Sequence, residues 1–247
     1  MSVTNTISRF GVATGFAILL SACASGPVPS DYVNDPFEDV NRQIHAFNKL
    51  VDKTAVRPVA LAYGAVVPEP VRDMVDNSAN NLELPGQAIN HVLQGDLADA
   101  FQTTARFLLN STIGLAGLFD PASEIGLFER NTDFGETLGV WGFAEGPYVE
   151  LPLFGGSTVR GTVGMVVDFA IDPMQHVLSD QERKYLAALK GLDLIGKRYA
   201  YSDLVDALLY ESADSYAAQR ISYLQNMRRN LEGETLIEDL EDPYAFE

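Results

Sequence analysis

From Phe107 to Phe119 the chain runs thirteen residues without a charge, and that stretch limits where this part of the fold can sit. A helix needs about 20 apolar residues to cross a bilayer, so the run cannot span one. On an aqueous surface it would expose a continuous apolar strip. Two placements remain: a buried core helix, or a segment lying at bilayer depth. Composition alone favours core. The run is the end of a longer pattern, in which Asp96 after Gly95 can cap a helix carrying Leu97, Phe101, Phe107, Leu108 and Leu109.

Other helices announce themselves in the same way. Asp35-Pro36-Phe37-Glu38 combines an N-cap carboxylate, a proline at the first helical position and a glutamate able to close a capping box. Val40, Ile44, Phe47 and Val51 follow at helical spacing. Prolines 58, 68, 70 and 85 predict short helical pieces after that. Phe134 to Gly156 interleaves aromatics with six glycines, which argues for a hairpin-like or irregular loop turning at Glu145-Gly146-Pro147. Ser157 can cap an apolar helix that stops at Asp172-Pro173, and Ser179-Asp180-Gln181-Glu182 reads as a capping box. A last helix carries Tyr216, Ile221, Tyr223, Leu224 and Met227. The class is mainly α, in one domain.

The first 22 residues read as a cleaved leader, with one base, Arg9, a short uncharged run and small residues at the cut. Leu20-Ser21-Ala22-Cys23 resembles the lipobox of bacterial lipoproteins, so Cys23 is the expected acylation site. It is the only cysteine, which leaves the mature chain without a disulfide. Two or three acyl chains hold stably where one holds only reversibly. Ala24 after the cysteine points to the outer membrane. Residues 23–34 read as a flexible tether and 35–230 as the folded domain. From Leu231 to Glu247 seven acids and no base read as a disordered acidic tail. Losing Arg9 makes the formal charge of −17 one unit more negative, a field that does not attract nucleic acid.

Chemistry-bearing motifs are missing. The three histidines, His45, His91 and His176, are far apart, with no His-x-x-x-His or Cys-x-x-Cys pair, so no metal and no cofactor is expected. Gly155-Gly156-Ser157-Thr158-Val159 approaches a nucleophile elbow but lacks its last glycine. An enzyme is not the expectation.

Several segments together resemble the MlaA (VacJ) family of outer-membrane lipoproteins. They are Asn34-Asp35-Pro36-Phe37-Glu38 with Asn41-Arg42, Val56-Arg57-Pro58-Val59-Ala60, the stretch Arg106 to Leu115, the stretch Phe134 to Gly142, Gly146-Pro147-Tyr148 and Leu151-Pro152-Leu153. Gly161 is a departure, where many members carry Asp after Val-Arg. The resemblance implies a compact ring-like bundle of short amphipathic helices, embedded in the inner leaflet of the outer membrane and enclosing a channel. It implies trimeric porins and a soluble periplasmic phospholipid carrier as partners, and retrograde phospholipid transport as the task. An envelope scaffold that organises porins and, further off, a membrane-anchored phospholipase are the alternatives.

Under that resemblance the uncharged run turns from core to membrane-facing, with Phe107, Leu108, Leu109, Ile113, Leu115, Leu118 and Phe119 as its contacts. The glycine-aromatic segment supplies the channel and gate candidates: Phe134, Gly135, Leu138, Gly139, Trp141, Gly142, Gly146, Pro147 and Tyr148. Glycines there permit hinge-like changes, and Trp141 and Tyr148 suit the headgroup level.

Overall fold

Side-chain caps open most of the helices of this chain, and the chain order follows from them. The structure is a computed structural model that describes residues 33–241, with side chains described as far as Leu231. The leader, Cys23 and the tether up to residue 32 lie outside the described residues. Helix α1 (Glu38–Val51) runs through a π-turn, Asp52–Val56, into α2 (Arg57–Val66). Then come α3 (Glu69–Gln94), α4 (Leu97–Thr112) and the single turn α5 (Pro121–Glu124). Helix α6 (Phe134–Val140) leads to the antiparallel hairpin β1 (Tyr148–Leu151) and β2 (Gly155–Thr158), paired Tyr148 to Thr158 and Leu151 to Gly155. Helices α7 (Val159–Ile171), α8 (Pro173–Val177) and α9 (Asp180–Ala200) follow. Last, α10 (Ser202–Asp206) passes through a second π-turn, Ala207–Glu211, to α11 (Ser215–Glu241).

Asp96 caps α4 by accepting from the Asp99 amide at 2.9 Å, and Ser179 and Glu182 form the expected capping box. Six expectations are corrected. Asp35 does not cap α1; it accepts from Asn41 Nδ2 (2.9 Å), Tyr216 Oη and Arg220 Nη1, tying the chain start to α11. The prolines do not cut the chain into short pieces. Pro70 sits in a first turn, where the missing N–H has no partner to lose, and Pro58 follows directly on the π-turn. Pro85 lies inside the 26-residue α3, which carries it because both long neighbours, α4 and α9, pack along that helix. Phe134–Val140 is helical despite its glycines, opened by Asp133, whose carboxylate accepts from the Glu136 amide. The hairpin exists, but its turn is Pro152–Phe154, with Leu153 and Gly155 at positive φ. Thr158, not Ser157, caps α7. The last helix also continues to Glu241, into the segment expected as a tail.

Packing inverts the usual distribution of polarity. Among the described residues, polar and charged side chains outnumber apolar ones in the interior, with Arg106, Glu150, Asn90, Thr103 and Thr137 among the largest that are fully buried. The buried apolar cluster, an aromatic pair of Tyr148 and Tyr216 packed with Leu224, is small. Arg106, 2% exposed, binds Asp120 (3.0 Å), Ser123 Oγ and the Leu127 carbonyl, so one guanidinium closes the loop after α4. Glu150 accepts from Tyr148 Oη (2.7 Å), Asn48 Nδ2 and Gln219 Nε2, and lies 3.4 Å from His45 Nδ1. That set joins α1, the hairpin and α11.

The two π-turns face each other across a charge network. Arg198 of α9 binds Asp52 (2.8 Å) and Asp206 (2.6 Å), Arg57 binds Asp206, and Tyr210 Oη donates to Asp52. Burial works against ionised Asp52, but the Arg198 and Tyr210 hydrogen bonds more than offset it, and its carboxyl is held below the usual range. The Arg57 hydrogen bond does the same for Asp206. A carboxyl depressed in the folded state contributes stability above its unfolded pKa of about 3.9 and loses it as pH falls through the folded value. The stability this network supplies should therefore be constant above about pH 4 and be lost below it. Asp206→Asn should melt lower at neutral pH and show a shallower acid drop; an unchanged acid profile would remove the network from the account.

Candidate functional site

Helix α4 shows how one element serves two environments. Ala100, Thr103, Arg106 and Asn110 recur on its inner side, while Leu97, Phe101 and Leu108 are 57–77% exposed on the other. The uncharged run does not continue as a helix. After Thr112 the backbone reverses, with Leu115, Ala116 and Gly117 all in the left-handed region. Such a conformation costs about 1–2 kcal/mol at each non-glycine residue, offset here by the Gly117 amide donating to Asn110 O (2.8 Å) and Phe119 to Gly114 O (3.0 Å). The reversal turns Ile113, Leu115, Leu118 and Phe119 outward, all exposed. Of the membrane-facing candidates, Phe107 and Leu109 are half-buried and the other five are exposed. Met165, Val166 and Phe169 of α7 add to this apolar exterior. No helix among the described residues is long and apolar enough to cross a membrane.

The gate candidates do not form one unit. Gly135 is buried where α6 crosses α7, and a Cβ on Gly164 would stand 2.3 Å from the Gly135 nitrogen. Gly161 belongs to the same crossing: a Cβ there would meet Tyr223 Oη at 2.9 Å, so in this chain a tyrosine hydroxyl fills the space of a larger side chain. Phe134, Leu138 and Gly139 are half-buried, and Gly139 lies against Leu231 and Arg160. Trp141, half exposed, meets Phe134 edge to face at 5.7 Å, and its Nε1 donates to the Leu93 carbonyl at 2.9 Å. Gly142 follows, exposed and at positive φ. Gly146, Pro147 and Tyr148 sit apart at the foot of the hairpin. Gly146 is buried against Val159, the Pro147 carbonyl accepts from the Val159 amide, and Tyr148 is 1% exposed, in the aromatic cluster and not at a surface.

The polar interior opens into two cavities that follow one another along the antiparallel helices α3 and α9. One, of about 510 Å³, is lined by Glu83, Asn90, Asp168, Asp172, Arg183 and Lys190, among others. The next, of about 450 Å³, has Tyr63, Arg72, Asp76, Asn80, Asp193 and Lys197 on its walls. Asp168 accepts from Asn90 Nδ2 (2.8 Å) and the Phe134 amide (3.0 Å), linking α3, α6 and α7. Burial pushes its carboxyl up from the ordinary range. None of these lining residues was singled out from sequence. The signal available was Asp168, the one acid between Val159 and Ile171 in a helix otherwise rich in apolar residues.

Ser157 is buried in β2 and donates to the Thr158 carbonyl, with Thr162 Oγ1 as its other partner and no histidine bonded to it. One grouping among the described residues has ligand spacing for a metal: His91, Asp96 and Asp99, whose ligand atoms lie within 4.8 Å of one another. Each has another contact: His91 Nε2 with the Arg130 carbonyl, Asp96 in its cap, and Asp99 3.7 Å from Arg130.

The glycine crossing is directly testable. Gly164→Ala should destabilise the protein by about 1–3 kcal/mol through overpacking. Gly86→Ala, where an added Cβ meets nothing within 4 Å, should stabilise it by about 0.5–1 kcal/mol. Thermal melts in mild detergent check both, and equal effects at the two sites would refute the crossing.

The family model described as MlaA lipoprotein matches residues 33–230. The intermembrane phospholipid transport system lipoprotein MlaA of Escherichia coli K12 is 36% identical over 211 residues, covering 84% of this chain and 82% of the relative. Its namesake in Haemophilus influenzae is 30% identical over 231 residues, 91% of each chain. A Rickettsia felis protein without an assigned function is 34% identical over 190 residues, 76% of this chain and 74% of its own. A solved structure described as "Structural basis for maintenance of bacterial outer membrane lipid asymmetry" superposes with a TM-score of 0.68 at 31% identity, covering 80% of this chain and 98% of its own.

Proposed function

The chain belongs to the MlaA lipoprotein family, and from that premise we propose that it removes misplaced phospholipid from the outer leaflet of the outer membrane and passes it to a periplasmic carrier, without chemistry on the lipid. The observation that carries this reading is the inverted polarity. Fully burying a Leu or Phe side chain is worth about 1.5–3 kcal/mol. A belt that includes Phe101, Ile113, Ile125, Phe128, Val166 and Phe169, all more than 60% exposed, would forfeit in water an amount comparable to the ~5–15 kcal/mol net stability of a domain. Acyl chains around that belt remove the cost.

A phospholipid moving between leaflets must carry a charged headgroup through a region where a bare charge costs several kcal/mol. The trough between α3 and α9 offers the polar lining such passage needs, inside an apolar exterior. Trp141, whose Nε1 donates to the Leu93 carbonyl at the end of α3, and Gly142 after it are the gate in this reading. Acyl groups on Cys23 would supply the address and slow exchange off the membrane. A trimeric porin and a soluble phospholipid carrier are the partners this reading calls for.

The test is photo-crosslinking in cells with a benzophenone amino acid at Phe101, Ile113 and Phe169 outside, and at Asn80 and Asn90 in the trough. Phospholipid adducts are expected at both sets. Lipid at the outer positions with none in the trough would leave an embedded scaffold and end the conduit reading. Absence of lipid everywhere would end both.

A further inference from the structure

Resting on the conduit reading, we propose that the trough prefers phospholipids whose headgroup carries a primary ammonium, seated at Asp76 and Asp193. The cavity of about 450 Å³ is walled by both residues. Asp193 is 8% exposed. Its Oδ2 accepts from Lys197 Nζ at 2.9 Å, whereas its Oδ1 is buried without any hydrogen-bond partner. Lys197 is also 3.3 Å from Asp76 Oδ1 and donates to Asn80 Oδ1 at 3.0 Å. One ammonium therefore serves two carboxylates and an amide oxygen, and the cluster carries one negative charge in excess. A buried acceptor left without a donor costs about 1–3 kcal/mol, and more when charged. What this place lacks is a further cationic donor.

The same cavity holds a second unpartnered atom, the buried Tyr63 Oη, which can accept from the same donor. An ammonium has three N–H groups and no acceptor, and at the half-exposed Asp76 carboxylate, beside Asp193, it supplies the positive charge that Lys197 alone does not. Arg72 gives Nη1 to the Gly64 and Val67 carbonyls, at 3.0 and 2.8 Å, and stacks on Tyr199, which leaves its Nε and Nη2 for the phosphate that every phospholipid carries, so only the group beyond the phosphate distinguishes one lipid from another. In the neighbouring cavity Lys190 pairs with Glu83 at 3.1 Å, and Arg183 is held by the Gln175 and Leu178 carbonyls and by Asp180. Burial lifts the Asp193 carboxyl above its ordinary range, and the neighbouring Asp76 carboxyl adds to the rise against the pull of Lys197. Anionic headgroups without an amine, such as phosphatidylglycerol, bring no cationic donor to Asp76 and Asp193.

The acylated full-length protein, purified in mild detergent, is incubated with vesicles of equal parts phosphatidylethanolamine and phosphatidylglycerol and repurified, and its bound lipid is quantified by mass spectrometry. Phosphatidylethanolamine should be enriched about threefold, the size of a partly exposed ion pair. Asp193→Asn and Asp76→Asn should each bring the ratio to parity. Asp76 is half-exposed, so its variant decides the matter if Asp193→Asn does not fold. Millimolar ethanolamine should leave the enrichment in place, because the acyl chains hold the lipid; its abolition would assign the site to a soluble amine and overturn the lipid assignment. Lipid bound in the vesicle ratio, or enriched in phosphatidylglycerol, overturns the headgroup preference and leaves the conduit standing. No bound lipid at all overturns the conduit, and the preference with it.

Discussion

A polar interior is stable only where its hydrogen-bonding groups satisfy one another, and the main seams of this protein are built on that condition. Arg106 closes the loop after α4 through Asp120, Ser123 and the Leu127 carbonyl. Asp168 joins three helices through Asn90 and the Phe134 amide. Glu150 ties the hairpin to α1 and α11. Because these groups spend their donors and acceptors on each other, the apolar side chains are free to face outward. The exterior of the fold is thus a consequence of how its interior is bonded. Of the atoms this rule leaves over, Asp193 Oδ1 and Tyr63 Oη belong to residues on one cavity wall.

Much of the helix plan was legible in the sequence, because caps are local. Asp96, Ser179 with Glu182, and the stop at Asp172-Pro173 act within a turn of themselves, and each does what its residue type favours. The expectations that failed depended on distant partners. Asp35 looks like a cap, but Tyr216 and Arg220, far along the chain, claim its carboxylate. Gly135 looks like a loop residue, and only the crossing with Gly164 makes a helix there worthwhile. Pro85 reads as a break until α3 is seen packed on both α4 and α9.

The functional surface divides in the same way. Composition alone put the uncharged run in the core, and only the family resemblance turned residues 113, 115, 118 and 119 outward, where the structure exposes them. The trough could not be found, because Asp76, Asn90, Asp168, Asp193 and Lys197 come from separate segments and each alone resembles an ordinary surface residue. Tyr148 shows the reverse error: an aromatic next to glycine and proline suggested an interface, yet the residue is the centre of the one aromatic cluster described.

The central claim is that the solvent around this fold is partly lipid. Trp141 is the only tryptophan, half exposed and bordered by exposed Leu93 and Phe143, so its fluorescence reports on that claim without labelling. In vesicles containing brominated phospholipid the acylated protein should lose much of its Trp141 emission, while acrylamide in the aqueous phase quenches little. Full acrylamide quenching with no effect of brominated lipid would place this face in water and contradict the account.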